Sequence, residues 1–346
     1  MKARSAALQG GLAVAGLIAA YVTWQRPKES THAESVVIVD AQKNSLERVR
    51  YEDGARFVDL EKKDRFLVTL AFLPGKRPVF DAGVSLVELD GGVDAGTVVA
   101  SVRPAEPAPD RTVFANDRAD TLWVKLTPFE GTRALGKLGA DKLKELGLVD
   151  TERRLELQVA GVTRRFVISR PISGLIGSYA QDEKSGEVFL ISSSIFNDLD
   201  PSSQLLVDRR LHLFKPTEFD AFVVKSQDKE AAFVQSAAEI AQTAKVARAA
   251  TPEKADELAK NWHDKIWNRL IVTEVLSAGE EPKVGAPQVQ MRIEYSLKGQ
   301  PKGWLELGLD RGSGTWARTE NTPSWVAVHQ GTEEIILEGQ KLIVSP

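Results

Sequence analysis

The run from Ala6 to Trp24 constrains this chain most, because it is apolar except for Gln9 and Thr23. It holds ~19 residues, about 28 Å as a helix, which matches the hydrocarbon core of a bilayer. Lys2 and Arg4 precede it, and Tyr21 and Trp24 stand at its far end, where an aromatic belt forms at a membrane interface. Arg26 and Lys28 follow, so the flanking charge difference is small. With no second hydrophobic span, the segment predicts a signal-anchor with its N-terminus inside and the bulk of the chain exported. Two other topologies use the same residues: cleavage near Thr31-His32-Ala33, and an N-out arrangement with a cytosolic body. Ala3, Ala7, Gly11, Ala15 and Ala19 fall at successive i+4 positions. Small residues at that spacing let a second helix approach closely, so Ala7, Gly11, Ala15 and Ala19 are the expected partner-helix packing face. An alanine-rich anchor with no packing partner gives the same pattern.

The rest of the chain has the composition of a protein with a real core. Of 346 residues, 42% are apolar and 27% charged, enough for one large domain or two ordinary ones. The net charge of -3 offers no basic excess for nucleic acid. The chain contains no cysteine, which removes disulfides, a lipobox, thiol catalysis and Cys-ligated zinc. It also suits passage into an oxidising compartment.

Gln25 to Ser35 reads as a polar linker, and from Val36 the pattern is that of short strands. Runs at Val36–Val39, Leu46–Tyr51, Ala55–Leu60, Arg65–Phe72, Val84–Leu89, Val98–Val102 and Thr121–Leu126 are separated by turn signals such as Asp53-Gly54. Arg133–Leu148 carries Leu135, Leu138, Leu143 and Leu146 at helical spacing, with Asp141 as N-cap and Gly147 at the C' position. Strands resume at Leu155–Val159, Arg165–Ser169 and Glu187–Ser192, Ser194–Leu206 can start a helix, and Phe219–Lys225 is a strand. Asp228–Arg248 fits either a helix or a hairpin. Thr251-Pro252-Glu253 signals a helix start, with Ala255, Leu258, Ala259, Trp262, Ile266 and Leu270 on one face. Short strands return at Val289–Tyr295, Trp304–Leu309, Thr315–Arg318, Trp325–His329 and Glu334–Leu337. The expected fold class is therefore α+β: an N-terminal single transmembrane helix, then a mostly antiparallel β-rich extracytoplasmic region with a few packed helices.

No residue pattern selects a catalytic, cofactor or metal site. His32, His212, His263 and His329 have no second histidine within ligand spacing, and His263 reads as a solvated or capped side chain. Asn197-Asp198-Leu199-Asp200 offers oxygen ligands but lacks the glycine and distal glutamate of a calcium loop, and reads as an Asx turn, as does Asp90 with Asp94. Asp310 to Gly314 reads as a hairpin turn. Trp262, Trp267, Trp304, Trp316 and Trp325 gather in the last third, where they suit either a sugar cleft or a core.

Several segments resemble one family. Leu143–Leu148 (LKELGL) and Leu155–Gly161 (LELQVAG) are similar to its middle part, and Tyr179–Asp182 followed by Gly186–Leu190 to its next strand. Leu206–Phe214 (LVDRRLHLF) resembles its most specific hallmark, and the likeness runs from about Leu46 to Lys225. Asn261–Asp264 and Gly303–Leu307 are similar to a proteobacterial variant. The family is bacterial, single-pass and of unknown function, and its members accompany ABC-2-type transporters, including gliding-motility auxiliary components. The resemblance implies a periplasmic, non-catalytic accessory subunit on the inner membrane, partnered by an ABC permease and, through it, a cytosolic ATPase. It implies no catalytic residues, and a structural role for Asp208, Arg209 and Arg210, fixing a helix end to the next strand. The expected organisation is residues 1–24 as cytosolic tip and anchor, 25–35 as linker, 36–225 as the family-like domain, and 226–346 as a helix plus β-rich region. A carbohydrate-binding protein or hydrolase using the C-terminal tryptophans, and a self-associating scaffold, are the competing functions.

Overall fold

The computed structural model describes residues 35–77, 110–172, 177–202, 204–236, 243–312, 314–329 and 331–344. The apolar run 6–24 with Ala7, Gly11, Ala15 and Ala19, the expected strands at 84–89 and 98–102, and Asp90 and Asp94 lie outside them. Among the described residues, no helix is long and apolar enough to cross a membrane.

The body is β-rich and every strand pairing is antiparallel. The first nine-stranded sheet begins with β2 (Leu46–Asp53), β3 (Arg56–Lys62), β4 (Phe66–Phe72) and β5 (Arg111–Phe114). It is completed by β7 (Arg133–Lys137), β8 (Arg154–Val159), β9 (Val162–Ile168), β10 (Ser178–Asp182) and β11 (Glu187–Ile191). Its order is β5-β4-β3-β2-β8-β9-β10-β11-β7. A separate pair joins β1 (Val36–Val39) to β6 (Phe129–Gly131). The second sheet holds β12 (Ala221–Ser226), β13 (Lys229–Gln235), β14 (Val246–Arg248), β15 (Val272–Val275), β16 (Gln288–Leu297), β17 (Gln300–Leu309), β18 (Thr315–Thr319) and β19 (Val326–Val328). Its order is β14-β13-β12-β16-β17-β18-β19-β15. Because β12 pairs with β13 and β16, the range 36–225 runs past the first sheet and into the second.

Alternation sets each strand's buried face. In β8, Leu155 and Leu157 are buried while Arg154, Glu156 and Gln158 face outward. The β8–β9 hairpin turns on Ala160 and Gly161, both with positive φ (47° and 75°), which matches the right-handed twist of the flanking strands.

Five helices are described. They are α1 (Arg118–Lys125), α2 (Ala140–Glu145), α3 (Ser194–Asp198), α4 (Glu257–Arg269) and α5 (Thr332–Val344). Several correct the sequence reading. Thr121–Leu126, expected as a strand, belongs to α1 and its C-cap: Ala119, Leu122, Trp123 and Leu126 are all fully buried at i, i+3, i+4 and i+7. Burying Leu122, Trp123 and Leu126 contributes about 1.5–3 kcal/mol each, which outweighs the β preference of Thr121 and Val124. Arg133–Leu148 is not helical throughout. Its first part is β7, docked on β11, and only Ala140–Glu145 coils, capped by Gly139 rather than Asp141. Gly147 does sit at C' with φ 69°, and Leu148 N–H bonds back to Leu143 O. Asp228–Arg248 contains the strands β13 and β14.

The start of α4 lies later than Thr251-Pro252 suggests. Asp256 N–H is taken by Val246 O, holding the preceding segment along β14, and the Asp256 carboxylate caps Ala259 N–H at 3.0 Å. Leu258, placed by periodicity on the buried face, is 75% exposed, whereas His263 occupies the interior. Glu334–Leu337 is helical within α5, with Ile335, Ile336, Gly339 and Leu342 turned inward. One contiguous core runs beneath both sheets.

Candidate functional site

The segment Leu206–Phe214 is a strap between the two sheets. On the first-sheet side, Asn116 N–H bonds Leu206 O and Asp208 N–H bonds Phe114 O, both at 2.9 Å. On the second-sheet side, Asn321 Nδ2 donates to Arg210 O at 2.7 Å and Thr319 Oγ1 donates to Leu211 O.

Asp208 anchors the strap. Its Oδ1 accepts from Arg210 N (3.0 Å) and Nε (2.9 Å), and its Oδ2 accepts from Arg210 Nη2 (3.0 Å) and Arg65 Nη2 (3.2 Å). The carboxylate is buried, and its side-on bond pushes the Arg210 guanidinium pKa up against the opposing cost of desolvation. Arg65 also donates to Asn321 Oδ1 at 2.9 Å, so it touches both the strap and the second sheet. Arg209 does not join this network and donates instead to Gln204 Oε1 at 3.1 Å. Asp208 and Arg210 therefore hold the sheets together; they do not end a helix, since the nearest preceding helix, α3, stops at Asp198.

Two residues further on, the strap enters an aromatic cluster. His212 Nδ1 donates to Glu320 Oε1 at 2.9 Å, and the ring packs against Phe214, Trp267 and Tyr295. The fully buried His263 stacks on Phe222 at 4.4 Å between centroids and accepts from Trp267 Nε1 at 3.1 Å. Desolvation, with smaller effects from Lys260 and His212, lowers the His263 pKa to about 3. The ring is neutral, and accepting at Nε2 puts its proton on Nδ1. Burial and the Glu320 charge push the Tyr295 phenol up. His212 Nε2 and Tyr295 Oη are both buried without a partner. These groups were not legible in the chain, because His212 and Glu320 stand 108 residues apart.

The other sequence candidates take structural roles. Asp198 pairs with Arg118 and Lys125, while Asp200 Oδ1 accepts from Ser202 N–H at 2.9 Å. Asp310 closes its turn on Gly312 and Gly314 and accepts from Trp316 Nε1 at 2.7 Å, which holds its carboxyl below the usual range. Among the described residues, no group of three or more His, Asp and Glu side chains is placed to hold a metal ion. Trp262, Trp316 and Trp325 are buried, and Trp304 lies under Arg292 at 4.7 Å.

A groove of about 770 Å³ runs between α4 and α5, lined by residues including Leu258, Trp262, Lys265, Arg269, Glu338 and Leu342. Its walls are pinned by Trp262 Nε1 donating to Ile335 O (2.7 Å) and by the Lys265–Glu338 pair (2.6 Å). A second depression, about 650 Å³, has Trp316 among its lining. Trp262 and Trp316 thus line different depressions, while Trp316 packs with Trp325 and Arg318 lies over both Trp304 and Trp325.

No family model, curated protein or solved structure matches the chain.

Proposed function

We propose that this chain is a membrane-anchored, non-catalytic accessory subunit that binds partner proteins or exported substrate at the bacterial inner membrane, its body in the periplasm. The observation that carries this reading is the apolar run 6–24 ahead of the β-rich body. The Leu206–Phe214 resemblance supplies the context of an ABC-type transport or motility system, with a permease and its ATPase as partners. The anchor packs on the permease through Ala7, Gly11, Ala15 and Ala19. The α4–α5 groove, whose lining includes the exposed Leu258, is the surface offered to a periplasmic partner.

The test is a gentle-detergent pull-down of the full-length protein from its own membranes, with mass spectrometry of what accompanies it. Recovery of an ABC permease and ATPase, lost on Gly11→Leu with Ala15→Leu, supports the reading. Recovery of the protein alone overturns the transporter assignment. Recovery of the permease unaffected by those substitutions overturns the packing face. The glycan-binding alternative rests on the tryptophans and predicts quenching of their fluorescence by oligosaccharides.

A further inference from the structure

Three arginine forks among the described residues are each filled by one carboxylate. Arg48 presents Nε and Nη2 to Asp59, Arg210 presents the same pair to Asp208, and Arg318 to Glu306. That edge of a guanidinium carries two parallel N–H groups, spaced to meet two oxygens of a carboxylate or phosphate. Arg56 departs from the pattern: its Nε and Nη2 are buried and have no hydrogen-bond partner.

Arg56 starts β3 opposite Phe72, and Arg111 starts β5 opposite Leu70. Both arginines lie on the inward face of the first sheet, in line with Val58 and Leu60 on β3 and Val113 on β5. Strand spacing and rise put their Cα atoms roughly 12 Å apart. Arg56 Cζ stands 4.6 Å from the centre of the Phe72 ring, leaning over the strand between them. Arg111 is 7% exposed, and its Nε is likewise buried and unpartnered. Its Nη1 reaches Val275 O only at 3.5 Å.

Three buried guanidinium nitrogens thus lie at one end of the sheet with no acceptor among the described residues, a costly arrangement in a low-dielectric interior. Among the described residues, neighbouring carboxylates act on these arginines through space but give them no hydrogen bond. Asp110 is held by Arg77 at 2.6 Å and by Phe72 N–H at 2.9 Å. Glu274 acts on Arg111 through space without forming an ion pair among the described residues. Desolvation is the largest effect on Arg111 and lowers its pKa; Arg209 and Arg56 act in the same direction, and Glu274 and Glu280 oppose them only in part.

We propose that Arg56 and Arg111 form an oxyanion-binding site at this end of the first sheet. Arg56 takes two oxygens of a carboxylate or phosphate through Nε and Nη2, and Arg111 donates to the same group from Nε. The site is independent of the α4–α5 groove and of the transporter context.

The experiment is calorimetric titration and thermal melting of the full-length protein in detergent, at fixed ionic strength with chloride as reference. Inorganic phosphate and succinate are the probes. Saturable binding and a raised melting temperature are expected with at least one; phosphate alone assigns a phosphate ligand, succinate alone a carboxylate. Arg56→Gln and Arg111→Gln should each weaken binding tenfold or more, while Arg50→Gln, on the outward face and paired with Glu52, should not. Arg56→Lys keeps the charge but lacks the fork. It should melt like the parent without ligand yet bind at least tenfold more weakly, and it decides the matter if the glutamine variants do not fold. No saturable response to either probe beyond chloride, or parental binding by Arg56→Lys, overturns the site.

Discussion

Arg65 and Asp208 meet at 3.2 Å, joining the start of β4 to a strap residue 143 positions later. Asp208 thereby receives two guanidinium groups, and its partner Arg65 also grips Asn321 on the far sheet. Asp208→Asn keeps the shape but removes the charge that both arginines face. Breaking a buried pair in this way costs about 3–5 kcal/mol. Arg65 and Arg210 are each about a third or more exposed, so water screens part of the loss, and about 2 kcal/mol is expected. Urea unfolding checks this, and a cycle with Asn321→Ala should show non-additivity, since both side chains share Arg65. A loss below about 0.5 kcal/mol would mean that the strap does not join the sheets energetically.

His263 gives the fold an acid limit. Its pKa falls from 6.5 in the unfolded chain to about 3 in the fold. Between those values the unfolded state binds the extra proton, so stability rises with pH, and acidification from 6.5 toward 3 removes it. The slope is about 1.4 kcal/mol per pH unit at its steepest. Asp110, Asp182 and Glu294, whose pKa values are lowered, add losses at the acid end of this window. The diagnostic quantity is therefore the difference between parent and His263→Gln between pH 6 and 4. Parallel unfolding curves for the two proteins over that range would show that His263 is not the group responsible.

The contrast between Arg50 and His263 shows what the chain made legible. Residues alternating along one strand, such as Arg50 between Val49 and Tyr51, declare which face is buried, because the period of two is local. The antiparallel β-rich character followed from many such runs. Thr121–Leu126 failed for the same local reason: its window is too short to separate a period of two from 3.6, and the deciding residue, Ala119, lies outside it. Leu258 and His263 exchanged their expected places because the buried face is Ala259, Trp262, His263 and Ile266, at i, i+3, i+4 and i+7, and Leu258 stands about 100° of helix rotation before Ala259. Asp208 and Arg210 were visible as a motif. Arg65, Glu320 and Asn321 were not, since their partnerships depend on how two sheets dock.

Gly339 tests the close approach of α5 to α4. Alanine is better than glycine in a helix by roughly 1 kcal/mol, which taken alone predicts a gain. A Cβ at Gly339, however, would stand 2.6 Å from Trp262 Cζ2 and also crowd Met291. The methionine can swing away, but the indole is fixed by its bond to Ile335 O. Overpacking of this kind costs about 1–3 kcal/mol, so Gly339→Ala should lower the melting temperature. A rise would show that α5 slides freely on Trp262.

The β8–β9 turn offers the opposite sign. Ala160 adopts φ 47°, a left-handed conformation that costs an alanine roughly 1–2 kcal/mol, and Gly161 follows at 75°. Asparagine tolerates this region because its side chain hydrogen-bonds locally, and Asn-Gly is the preferred pair for a two-residue turn of this hand. Ala160 is exposed, so the substitution disturbs no packing. Ala160→Asn should therefore stabilise the protein by roughly 0.5–1 kcal/mol, read as a higher urea midpoint with an unchanged slope. An unchanged midpoint would place Ala160 outside the left-handed region in solution, and a changed slope would show the unfolded ensemble responding instead. The same substitution at Lys298, which precedes Gly299 at φ 51° in the β16–β17 turn, supplies an independent repeat in the second sheet.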